Sequence, residues 1–256
     1  MNSVAVCISG SQKHYKNCLE TIRKIRPNNF LKVFIHTWDL NSKQSLDYYL
    51  GSAKNSVDKS HNRGKNKSFL KEEKLLTDFS EFNPERVSIE KPENKNEEFL
   101  SILKKWKGKI ITSKEQSKGR LAMLYSMHKS GEEKKKYEKE HDMVFDHVIR
   151  VRFDTRIVKK KLNLQDVYSY HSGEKTKEPL PPQELHIPSG HDYNGINTQF
   201  ATGTSKAMDT YFSLYKDILD YRNNTLVPEH LLAIHLKTKS VDPWRRIKLI
   251  TRINNQ

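Results

Sequence analysis

The first forty residues constrain this chain more than any other part of it. Val4-Ala5-Val6-Cys7-Ile8 is a short apolar run, closed by the turn-prone Ser9-Gly10-Ser11. Tyr15, Cys18, Leu19, Ile22 and Ile25 then recur at spacings of three and four, which gathers them on one face of a helix. Pro27 and the Asn28-Asn29 pair stop that helix. Leu31-Lys32-Val33-Phe34-Ile35 follows as a second apolar strand and runs into His36-Thr37-Trp38-Asp39. Strand, helix, strand in this order is a βαβ unit, whose two strands pair in parallel. The expected fold class is therefore α/β, with a Rossmann-like mixed, mainly parallel sheet flanked by helices. With 256 residues the chain can close a hydrophobic core without disulfide staples. We expect a single domain over 1–256.

The rest of the sequence interrupts this scheme and then extends it. Between about 41 and 96, Ser, Asn, Lys and Glu dominate, which predicts a flexible polar insertion. Within it, short helical turns fit around Leu70 to Phe79, and Val87-Ser88-Ile89 alternates as a strand does. Ser113 and Gln116 form a capping box that opens a long helix. Its face carries Leu121, Leu124, Tyr125 and His128, and its Glu/Lys-rich end toward His141 reads as an exposed tail. His147 to Asp154 reads as a strand, and a Lys-, Pro- and Gly-rich loop spans about 159–183. Ala207 to Tyr221 is predicted helical, as is Pro228 to Leu236, with Pro228 suited to the first helical position.

Composition narrows the classes of function. Forty-six Lys and Arg against 31 Asp and Glu give a formal charge of +15, a field that attracts phosphate-bearing ligands, nucleic acid or acidic lipid. Lys134-Lys135-Lys136 and Lys159-Lys160-Lys161 read as solvated runs. No zinc-finger spacing, RNA-recognition signature or basic-zipper heptad accompanies the charge. The mean hydropathy of -0.83 and the lack of a long apolar run exclude a membrane-spanning helix. Cys7 and Cys18 are too few for a disulfide framework. With no basic leader before the first strand, a cytoplasmic setting is expected.

Four segments carry side chains suited to chemistry. In a strand, Arg150, Arg152 and Asp154 share one face, opposite Ile149, Val151 and Phe153. Two arginines and a carboxylate at a carboxyl end stand where open α/β sheets bind ligands. Asp154 there suits a divalent cation and the arginines suit phosphate oxygens; an Arg–Asp pair that merely closes the strand uses the same residues. Ser9, Gly10 and Gln12 form a βα turn whose glycine permits close backbone approach. It lacks the spacing of a Walker loop or of a Gly-x-Gly-x-x-Gly fingerprint. His36, Thr37 and Trp38 end the second strand, where the indole either stacks on a base or sugar or anchors the core. Residues 190–203 pack His191, Asp192, Asn197, Gln199 and three glycines into one polar stretch that Ile196 and Phe200 would anchor.

In this order the segments resemble a family of bacterial and viral glycosyltransferases with the GT-A nucleotide-diphospho-sugar transferase fold. The matching pieces are residues 4–10 with Tyr15, 33–39, the helix from Leu121 to Tyr137, 146–154, 195–203 and Pro228-Glu229-His230-Leu231-Leu232. The resemblance implies that Ser9, Gly10, Gln12, His36, Thr37 and Trp38 hold the donor nucleotide, joined by Arg120, Arg152, Asp154, Asn197 and Gln199. It implies a metal, Mn or Mg, at the acidic motif ending the middle strand. Here that place reads Asp154-Thr155-Arg156, with one acid, so Arg152 or Arg156 stands where a second acid and its metal would act. Asp192 is the first candidate and Glu229 the second for the base that deprotonates an acceptor hydroxyl.

The implied partners are a nucleotide-diphospho-sugar donor and a glycan or lipid-linked acceptor, and the basic surface suits peripheral contact with an anionic membrane. Nucleic acid is not an expected partner, although a non-catalytic nucleic-acid-binding protein is the rival that the charge supports. A sugar nucleotidyltransferase would keep the fold but needs a glycine-rich phosphate loop after the first strand.

Overall fold

The computed structural model describes residues 3–12, 15–25, 30–39, 72–157, 184–188 and 195–247. Strand β1 (Ser3–Gly10), helix α1 (Tyr15–Ile25) and strand β2 (Phe30–Trp38) form the expected unit, and β1 pairs with β2 in parallel. Tyr15, Cys18, Leu19, Ile22 and Ile25 of α1 are all buried. Next come α2 (Glu72–Phe79), β3 (Arg86–Glu90), α3 (Asn96–Lys105), α4 (Lys114–Glu140) and β4 (His147–Arg152). They are followed by β5 (Leu185–Pro188), β6 (Phe200–Gly203), α5 (Ser205–Phe212), α6 (Pro228–Thr238) and β7 (Pro243–Ile247). Residues 40–71 and 158–183 lie outside the described residues, and with them most of the two long polar stretches noted in the sequence.

The strands order as β3-β2-β1-β4-β6-β5-β7. Among these seven, β6 alone runs against the others, pairing antiparallel with both β4 and β5. Helices cover both faces, which is why β1 and β2 are apolar almost throughout rather than alternating. Ala5, Cys7, Phe34 and Val148 face a core completed by α4, α5 and α6. Val4, Val6, Ile8, Val33, Ile35, Ile149 and Val151 face the other, closed by α1 and α2.

The strand expected at Val87-Ser88-Ile89 is present as β3 and extends the sheet beyond β2. Three other sequence readings are refined. The polar insertion expected as flexible over about 41–96 forms regular elements from Glu72 on. Ala207 to Tyr221 is not one helix: α5 ends at Phe212 and short 3-10 turns continue over Ser213–Tyr215 and Ile218–Tyr221. The far end of α4 is not wholly an exposed tail, because Lys134 is fully buried. Its ammonium donates to Glu138 at 2.8 Å, Ser205 at 2.6 Å and Asp209 at 2.7 Å. A buried ammonium is tolerated because three oxygens replace its water. Only Lys135 and Lys136 of that run face solvent, with side chains 66% and 52% exposed.

Candidate functional site

Winding from β1 outward through β2 to β3, and then back across β1 to β4, makes a topological switch point between β1 and β4. Open α/β sheets bind ligands in the crevice beyond the carboxyl ends at such a point. The register shows what gathers there. Ser9 lies level with His36 on one side and Arg152 on the other, and Gly10 lies level with Thr37. Glu90 lies level with Trp38. Asp154 is two residues past Arg152, on the same edge. One pleat deeper, Arg150 lies beside Cys7.

The first loop is pinned from beneath. Gly10 adopts φ +116°, a left-handed value that disfavours any side chain. Its N–H donates to Ser126 Oγ on α4 at 2.8 Å, and its carbonyl accepts the Thr37 hydroxyl at 2.8 Å. Ser126 Oγ is also 2.8 Å from His36 Nδ1, and His36 Nε2 is 3.1 Å from Glu90 Oε1. Burial lowers the His36 pKa, against the Glu90 carboxylate that raises it. A neutral ring that donates from Nε2 to Glu90 leaves Nδ1 to accept from the Ser126 hydroxyl, whose single proton is shared with the His36 carbonyl at 3.1 Å. This tautomer is assigned from the bonding pattern. Glu90 accepts from Tyr125 as well, and the His36 bond followed by burial, in opposite senses, leaves its pKa lowered.

His36, Thr37 and Trp38 are therefore fully buried. Trp38 packs with Tyr125 and Phe99 at centroid separations of 5.5 and 6.4 Å, so of its two sequence readings the geometry is that of the core anchor. These three residues shape the loop from below. Gln12 is also buried and reaches the Trp38 carbonyl at 3.4 Å.

The middle strand ends in a charged fork. Arg152 Nε donates to Asp154 Oδ1 at 2.8 Å, and Nη2 grips Oδ2. Burial raises the Asp154 pKa, but Arg152 and then Arg150 outweigh it, so the carboxyl stays below the usual range. Arg150 is wholly buried, which pulls its pKa down to about 10, and it remains a cation at neutral pH. Its Nη1 donates to the Thr198 carbonyl. Arg156 turns away toward α1, 3.5 Å from Glu20, so Arg152, not Arg156, stands beside Asp154.

The later loop closes the other side. Arg152 N–H donates to the Gln199 carbonyl at 3.0 Å, and Gln199 N–H to Asn197 Oδ1 at 2.7 Å. The Thr198 hydroxyl donates to Glu229 Oε1 at 3.0 Å, and Ile196 N–H to the Glu229 carbonyl at 3.0 Å. Glu229 sits in the first turn of α6 behind Pro228, where the helix amides favour a carboxylate. Arg120 on α4 donates to the Leu226 carbonyl at 2.5 Å; burial lowers its pKa, and Glu229 acts the other way. Asp192 lies outside the described residues.

Along this edge polar atoms are buried without a partner among the described residues: Ser9 Oγ, Gln12 Oε1, Gln199 Oε1, Arg150 Nε and Nη2, and Tyr211 OH. Such groups are rare in folded proteins and costly in isolation. Ser126, Glu90 and Thr198 were not singled out from sequence. Each acts across 31 to 116 positions of chain, so no local spacing reveals it.

The metal implied by the resemblance, Mn or Mg, is the kind of ion held by one or two carboxylates together with substrate phosphates and water. The acidic motif supplies one carboxylate, Asp154, and both its oxygens are taken by Arg152. Asp154 in this arrangement does not fit the ion.

Fold and site together define an α/β protein with a polar, arginine-bearing strand edge at its sheet switch point. No family model matches the chain, and no curated protein matches it. Solved structures similar to it include the apo form of mouse xyloside xylosyltransferase 1, at 10% identity and a TM-score of 0.42, covering 95% of this chain and 84% of that one. Two structures of the glycosyltransferase GlyE from Streptococcus pneumoniae TIGR4 also match. The apo form has 9% identity, TM-score 0.34 and covers 86% of this chain; the other has 10% identity, TM-score 0.38 and covers 96%. The chain spans 38% and 46% of those two structures' lengths. At TM-scores under 0.5 these likenesses do not decide function, which has to be read from the residues themselves.

Proposed function

We propose that this chain is a glycosyltransferase that moves a sugar from a nucleotide-diphospho-sugar donor to a hydroxyl of a glycan or lipid-linked acceptor. One observation carries the reading. The carboxyl ends of β1 and β4 meet at the switch point, with Ser9 level with Arg152, Gly10 and Asp154 one and two residues further along their own segments, and unpartnered buried polar atoms nearby. The resemblance of segment order to the GT-A family supports the same reading.

In the transfer, the bond between the anomeric carbon and the diphosphate oxygen breaks, and its electron pair stays on that oxygen. The acceptor oxygen bonds to the same carbon, and its proton passes to a carboxylate if the centre is inverted. Gly10 lets the backbone approach the donor closely. Glu229 and Asp192 are the candidate bases. Glu229 already accepts one hydroxyl, that of Thr198, which fixes Oε1 and leaves the carboxylate oriented for a second. The basic surface suits work in the cytoplasm against an anionic membrane; no helix among the described residues is long and apolar enough to cross one.

Saturation-transfer NMR with a panel of nucleotide sugars tests the reading. Transfer to one donor, abolished by its free nucleoside diphosphate, is expected; no transfer to any member at about millimolar ligand contradicts it, since working affinities lie near that level or tighter.

A further inference from the structure

Resting on the donor reading above, we infer that the positive charge facing the donor's diphosphate comes from Arg152, backed by Arg150, and that Asp154 is a positioning residue for Arg152 rather than a metal ligand.

The fork geometry is the first support. Asp154 receives Arg152 through Nε on one oxygen and Nη2 on the other. A carboxylate bound at both oxygens by one guanidinium fixes that guanidinium's plane and direction. The Arg152 side chain is still 21% exposed at the carboxyl end of β4, on the edge where the diphosphate would lie.

Charge is the second. Two guanidiniums and one carboxylate leave this end of β4 net positive. Arg150, one pleat below, carries two guanidinium nitrogens with no partner among the described residues. Asp154 offsets part of the field of this buried cation, and what remains acts through low-dielectric surroundings. It therefore favours a diphosphate at the sheet edge over water there.

The third is the donor set. Asp154 is the one acid in the motif at this strand end, and a divalent ion would have to displace the Arg152 guanidinium from both its oxygens. When the anomeric bond breaks, the electron pair left on the diphosphate oxygen adds negative charge. A cation whose guanidinium plane is already fixed by Asp154 at that edge stabilises the charge without rearrangement.

The experiment is isothermal titration of the full chain with UDP, GDP, ADP and CDP, each in EDTA and in Mn2+. At least one nucleotide is expected to bind with the same affinity, within about twofold, in both. Arg152→Ala should weaken that binding about tenfold or more, the scale of a charge-assisted hydrogen bond, and Arg152→Lys should recover part of it. Asp154→Asn should weaken it by a smaller factor, equally in EDTA and in Mn2+. Binding that requires Mn2+, with the requirement lost in Asp154→Asn, overturns this inference and leaves the donor reading intact. Binding by none of the four in either condition contradicts the donor reading itself, and this inference falls with it. The comparison of EDTA with Mn2+ on the unaltered chain holds whether or not each variant folds.

Discussion

Ser126 illustrates how one side chain serves the site without belonging to it. Its oxygen accepts the Gly10 N–H and its hydroxyl lies within reach of both His36 Nδ1 and the His36 carbonyl. Ser126→Ala should leave the Gly10 N–H and His36 Nδ1 without this partner and cost about 1–3 kcal/mol, read as a lower urea midpoint with unchanged slope. A midpoint within error of the parent would show that the loop is held some other way. Residue-scale legibility follows the range of the contact. Arg150, Arg152 and Asp154 could be placed on one face because strand periodicity is local. Ser126 and Glu90 could not, since their partners come from other elements. Trp38 shows the opposite limit: a Trp among polar neighbours at a strand end reads as a stacking surface or as a core anchor, and only the aromatic side chains of α3 and α4 that bury it, remote in sequence, decide between the two.

At the scale of elements, two contacts decide how the helical layer sits on the strand ends. Lys134 clasps α4 to α5 through Ser205 and Asp209. Lys134→Met should strand Glu138 and Asp209 near one another and cost about 3–5 kcal/mol, visible as a lowered melting temperature; a change under a few tenths of a degree would mean the clasp adds nothing. Gly195 is the second. A Cβ there would lie 2.3 Å from the Glu229 carbonyl carbon and oxygen, so Gly195→Ala must push the 195–199 loop off α6. It should lower stability by about 1–3 kcal/mol and reduce kcat/KM by moving Thr198 from Glu229. The helix caps were legible: Ser113 accepts the Gln116 N–H as the capping pattern requires, and Pro228 opens α6. The break after Phe212 was not, because the apolar spacing that marks a helix face continues through the 3-10 turns.

The whole molecule carries a pH dependence set by its histidines. Burial lowers the pKa of His36, His128, His147 and His235 from the usual 6.5. The unfolded chain takes up these protons near 6.5 and the folded chain only at lower pH. Stability therefore falls as pH drops below about 6.5, by up to about 1.4 kcal/mol per pH unit for each such histidine. Asp154 and Glu90, whose values are lowered, keep their stabilising contribution until pH falls through the ordinary carboxylate range. The urea midpoint should thus decline between about pH 7 and 5, and a flat profile there would contradict the neutral His36 assignment. The sheet architecture was foreseeable from the first forty residues because a βαβ unit leaves few ways to continue; the reversal of β6 was not, since a four-residue strand has no direction in its sequence. The central claim is that the carboxyl ends of β1 and β4 form one ligand crevice, and amide chemical-shift mapping during nucleoside diphosphate titration tests it most directly. Shifts should cluster at Gly10 to Gln12, Arg152 to Asp154 and Asn197 to Gln199. Shifts gathered instead in the cavity of about 550 Å³ lined by Lys95, Lys129 and Tyr215, or no shifts at all, would contradict it.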